Sequence, residues 1–129
     1  MRLNPDCVRD ILLTIEETVT FHDCLEYQIN DHQFERLNDY THDEIIYHIR
    51  QCEMSNLIFG VHYYDGGENT LIQDLSPKGH EFLENIRSDN MWNHTKSVAE
   101  TVGSFSLNAL TTIATGVLTQ VINHQLGVS

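Results

Sequence analysis

Basic residues are scarce in this chain: 7 Lys and Arg stand against 19 Asp and Glu, a formal charge of -12. Such a surface repels phosphate, which places generic nucleic-acid binding at a disadvantage. Cysteine is equally sparse. Cys7, Cys24 and Cys52 form an odd set without CxxC spacing, and the start Met1-Arg2-Leu3-Asn4-Pro5-Asp6 lacks an apolar secretion segment. Free thiols in a reducing cytoplasm are therefore expected. No glycine-rich phosphate loop, nucleophile elbow, HExxH or HxxxH occurs anywhere, so no cofactor is expected.

Charge is missing most completely at the end of the chain. Residues 101–129 contain no Asp, Glu, Lys or Arg, and residues 92–129 hold only Lys96 and Glu100. The first 91 positions thus carry 18 acids and 6 bases, again -12. This composition divides the 129 residues into an acidic domain, 1–96, and an uncharged helical tail, 97–129.

What is present reads mainly as helix starts and a hairpin. The chain has two prolines, and both follow capping residues: Asn4-Pro5-Asp6 and Ser76-Pro77. From Pro5 to about Val19, the spacing of Val8, Ile11, Leu12, Ile15 and Val19 predicts one helical stripe, with Arg9, Asp10, Glu16 and Glu17 facing water. Leu25, Tyr27 and Ile29 alternate like a short strand. Thr41 and Glu44 resemble a capping box, and Ile45, Ile49 and Cys52 continue along one face to about Met54. Leu57 to Tyr64 and Thr70 to Leu75 flank the turn formers Asp65-Gly66-Gly67-Glu68-Asn69, which predicts a hairpin. A third helix carries Phe82, Leu83 and Ile86 inward, and a last helix is expected from about Ser104 to Leu126.

Helix, short strand, helix, hairpin and helix, in that order, make an α+β fold of the winged-helix-like kind followed by a C-terminal helical tail. Three segments sharpen the assignment: Leu3-Asn4-Pro5-Asp6-Cys7-Val8-Arg9-Asp10-Ile11-Leu12, Ile46-Tyr47-His48-Ile49, and Gly79-His80-Glu81-Phe82-Leu83-Glu84-Asn85-Ile86-Arg87 with Trp92. Over roughly residues 1–96 they resemble the small phage and Gram-positive bacterial proteins catalogued as domain of unknown function 2513. That resemblance implies a winged-helix-like domain, often prophage-encoded, with no established catalytic activity.

The candidate chemistry reads as structure. Eight histidines invite a metal, but His42 and His48 point to different sides of one helix. His48 and His80 adjoin apolar positions and read as half-buried histidines bonded to backbone. Cys52 is one turn from His48, yet falls on the inward stripe where a thiol is inert. Asp65-Gly66-Gly67-Glu68-Asn69 lacks the alternating oxygen ligands of a calcium loop.

A function through protein contacts is expected instead, and no enzyme. Leu107, Leu110, Ala114, Val117 and Val121 form an apolar seam suited to self-association within residues 104–126, with docking on the chain's own domain the other cover. A bilayer is disfavoured by Asn108, Gln120 and four threonines. A DNA-binding regulator would need Arg36, Arg50, Lys78 and Arg87 to converge. An acidic inhibitor of a host defence or nucleic-acid-binding protein would present Asp39, Asp43 and Glu44 to a basic groove.

Overall fold

A computed structural model describes residues 1–127, and the last two positions of the tail lie outside the described residues. The chain forms two compact units, 1–80 and 81–129. Composition changes near residue 96 while compactness divides at residue 80, so charge and packing mark different boundaries.

In the first unit, helix α1 spans Pro5–Thr18 and is capped by Asn4, whose side chain accepts from the Asp6 amide. Cys7, Val8, Ile11, Leu12 and Ile15 are buried on its inner stripe. Asp10 departs from expectation. It is half-buried because the Tyr40 hydroxyl donates to its carboxylate at 2.7 Å. Strand β1 follows at Leu25–Gln28, and a 3₁₀ turn at Glu35–Leu37 leads to helix α2, His42–Met54. The expected capping box is present, with Thr41 accepting from the Glu44 amide and the Glu44 carboxylate accepting from the Thr41 amide.

Strands β2, Ile58–Tyr64, and β3, Asn69–Leu75, form the hairpin, joined through a 3₁₀ turn at Asp65–Gly67. The sheet is antiparallel in the order β1-β3-β2, so the short first strand pairs with the returning arm and β2 is an edge. Leu25 opposite Ile72 and Tyr27 opposite Thr70 are all buried, which places the core on that face. Helix α1 packs on α2 and on central strand β3, while α2 packs on β2. On the edge strand, Gly60 adopts φ 66°, and the ladder is interrupted between it and Gln73.

Helix α3, Pro77–Ile86, starts in the first unit and ends in the second. Its start is tied down by Ser76, whose amide donates to the Leu57 carbonyl at 2.9 Å and whose hydroxyl accepts from the Gly79 amide at 3.0 Å. Phe82, Leu83 and Ile86 are buried as expected. The second unit also contains α4, Asp89–Val102, and α5, Leu107–Gln125, which pack on each other. Sequence pattern did not place α4. Ser88 caps it and left-handed Gly103 ends it.

Candidate functional site

Three places on this scaffold combine chemistry or exposure: the middle of α2, a cleft beside the end of α1, and the outer surface of α5.

On α2, the side chain of His48 is fully buried. Its Nε2 accepts from the Asn4 amide at 2.8 Å and its Nδ1 bonds the Glu44 carbonyl at 2.6 Å. A carbonyl only accepts and an amide only donates, so the proton sits on Nδ1. Both nitrogens are used on backbone, and neither is left for Cys52. The backbone-bonded reading holds for His48, with burial complete instead of partial. Burial pushes the Cys52 thiol above its ordinary range, with nearby Cys7 adding to the effect. Cys7 is itself pushed up to about 12, by burial first and then by Glu44 and Asp10. These are protonated, poorly nucleophilic sulfurs. Cys24 is exposed, and all three cysteines are free.

His80 is corrected by the structure: it is exposed. Helical phase turns it away from Gly79, Phe82 and Leu83, which are buried. His42 and His32 serve local packing. Tyr27 bonds His42 Nδ1 through its hydroxyl at 2.8 Å, and His32 stacks on Phe34 with ring centroids 5.7 Å apart. Among the described residues no group of three or more His, Cys, Asp or Glu converges to hold a metal ion.

The cleft was not visible in the sequence. It encloses about 450 Å³ between Thr14, Glu17 and Thr18 of α1 and Gln33, Phe34 and Glu35 before and within the 3₁₀ turn. Arg36 closes its rim, with Nε and Nη2 donating to Glu17 Oε1 at 3.0 and 2.6 Å. Arg36 thereby supplies a cation near the end of α1, whose own last turn has none.

The four basic residues considered for DNA are largely committed elsewhere. Arg36 pairs with Glu17, Lys78 donates to the Ser55 carbonyl at 3.2 Å, and Arg87 pairs with Glu84 at 3.0 Å. Arg50 is exposed and lies near enough to the Tyr63 phenol to oppose the upward shift that burial and Glu53 impose on it. Among the acids, Asp39 and Asp43 are exposed, whereas Glu44 is spent on the capping box.

The tail seam is covered from within the chain. Leu107, Leu110, Ala114 and Val117 are buried in the α4–α5 pair, while Val121 is 40% exposed. Ile122 and Leu126 are exposed beside it. No described helix is long and apolar enough to cross a membrane.

These features define an α+β protein whose helix, strand, helix, hairpin, helix order is completed by a C-terminal helical pair. Residues 2–106 match the family described as hypothetical protein (DUF2513), and the chain belongs to that family. An uncharacterized protein of Haemophilus influenzae is 27% identical over 124 residues, covering 95% of this chain and 99% of that one. That match extends over α5, beyond the residues matched to the family. No solved structure matches the chain.

Proposed function

We propose that this chain is a non-enzymatic regulatory or adaptor protein, winged-helix-like in its first unit, that acts in the reducing cytoplasm through protein contacts. The observation that carries this reading is the use made of its polar groups. His48, Tyr40, Glu44 and the Arg36–Glu17 pair are spent on holding elements together, while Asp39 and Asp43 are left to solvent. A net charge of -12 favours a basic protein surface as partner over nucleic acid. Free Cys7, Cys24 and Cys52 support a reducing compartment, and the family resemblance supports a phage or prophage setting.

The test is capture from cells of the source organism on immobilised full-length chain, beside an Asp39→Lys/Asp43→Lys variant. A protein held by the first and released by the second supports the reading. The same chain is titrated with labelled duplex DNA at low salt, where no binding is expected. DNA binding that falls steeply with salt and weakens in Arg50→Ala would overturn it in favour of a winged-helix DNA regulator.

A further inference from the structure

Helix α5 and its C-cap residue Leu126 carry a second stripe, on a side away from the covered seam. Thr115, Thr119, Ile122 and Leu126 recur at spacings of four, three and four, on a side roughly 140° from the buried seam at 100° per residue. All four are exposed, Ile122 by 47% and Leu126 by 72%. The threonines add less polarity than their type suggests. Thr115 donates its hydroxyl to the Thr111 carbonyl at 3.1 Å, and Thr119 donates to the Thr115 carbonyl at 3.0 Å. With those donors turned into the helix, both residues offer methyl groups outward.

We propose that this stripe docks against the same stripe of a second copy, antiparallel, about a two-fold axis passing between positions 120 and 121. That register is self-complementary. Ile122 meets Thr119 of the second copy, and Leu126 meets Thr115 of the second copy, so a bulky side chain faces a small one at every level. Charge selects the same occupant. Residues 101–129 hold no Asp, Glu, Lys or Arg, so two chains of net charge -12 pair here without opposing carboxylates. A bilayer surface fits less well, because helices that lie on lipid use Lys and Arg to reach headgroups, and α5 has neither.

The contact is small. A helix of 19 residues is about 28 Å long and about 10 Å wide, well short of the roughly 800 Å² each partner gives to a stable complex. The dimer is therefore reversible, and it tightens as salt screens the remaining charge. This inference rests on the protein-contact reading above and names one partner within it.

Sedimentation equilibrium of the full-length chain across a concentration series tests it. A monomer–dimer equilibrium is expected, with Ile122→Asp and Leu126→Asp each raising Kd roughly 30-fold or more while far-UV circular dichroism stays unchanged. Orientation is read in a Cys24→Ser background. Thr115→Cys with Leu126→Cys should oxidise to cross-linked dimers, whereas Thr115→Cys alone should not, since its two copies are about 16 Å apart along the antiparallel pair. Monomer at every concentration overturns the proposal, as does cross-linking by Thr115→Cys alone. Binding to phosphatidylglycerol vesicles without any dimer in their absence assigns the stripe to lipid and equally overturns it. Loss of the dimer with protein capture intact removes only this inference, and the reverse outcome removes only the heterologous partner.

Discussion

Replacing Gly79 by alanine sets two physical effects against each other. Gly79 lies in the first turn of α3, where helix propensity alone favours alanine by up to about 1 kcal/mol. A Cβ built there collides with the Leu57 carbonyl oxygen and approaches the Leu57 carbonyl carbon to 2.9 Å. The obstacle is backbone, so no side-chain rotation relieves it, and the turn must retreat by on the order of 1 Å. Retreat strains the Ser76 amide bond to Leu57 at 2.9 Å and the Gly79 amide bond to Ser76 at 3.0 Å. Overpacking of about 1–3 kcal/mol plus part of two hydrogen bonds of about 1 kcal/mol each outweighs propensity, leaving a net loss of about 2 kcal/mol. For a chain of this length the thermal midpoint falls by roughly 7 °C. Gly116→Ala is the control. Gly116 is within α5, and a Cβ there meets nothing within 4 Å. Propensity acts unopposed, raising stability by about 0.5–1 kcal/mol. Calorimetry on both variants decides the matter: midpoints that move together, or a rise for Gly79→Ala, refute the collision argument.

Two further perturbations test the α1–α2 layer. His48→Leu keeps an apolar filling but leaves the amide of half-buried Asn4 without its acceptor, so urea denaturation should show a loss of about 1–2 kcal/mol; a loss under about 0.5 kcal/mol would mean that the imidazole bonds do not hold the chain's start to α2. At alkaline pH the raised thiols give a signed effect. Cys7 moves from an ordinary 9.0 to about 12 and Cys52 is raised as well, so the folded state keeps protons that the unfolded chain releases. The stability they contribute is complete below about pH 9 and falls above it by up to about 1.4 kcal/mol per pH unit per thiol. Denaturation midpoints from about pH 8 to pH 10.5 should decline less steeply in Cys7→Ala/Cys52→Ala, and equal slopes would locate the alkaline loss elsewhere.

Much of the fold was legible because local chemistry and global packing agree. Asn4, the Thr41 and Glu44 pair, and Ser76 begin helices by satisfying amides, and the stripes they introduce are the buried ones. Helix α4 escaped because its buried face mixes Trp92 and Ala99 with Thr95, a polar residue that becomes compatible with burial only when its hydroxyl bonds the Met91 carbonyl at 2.8 Å. Missing α4 concealed the cover of the seam through Leu110 and Ala114, and that cover is what makes the opposite side of α5 the informative one. The threonines there dilute hydrophobicity in a composition count, whereas their hydroxyl geometry is visible only in three dimensions. For His48 the bond to backbone was legible but its partner and its full burial were not. Asn4 is 44 positions away, and no periodicity reports a contact across that separation.

Gly60 has a consequence for the purified protein as a material. β2 is an open sheet edge bearing exposed Phe59, Tyr63 and Tyr64, with neither lysine nor proline to discourage fibre growth. The left-handed glycine at its third position turns the backbone out of line, so an incoming strand meets an edge broken into lengths of two and four residues instead of a continuous seven. That break spaces the open N–H and C=O groups wrongly for runaway strand addition. A single residue without a side chain thus guards the edge of the hairpin, and a substitution that restored a regular strand there is expected to raise light scattering on storage.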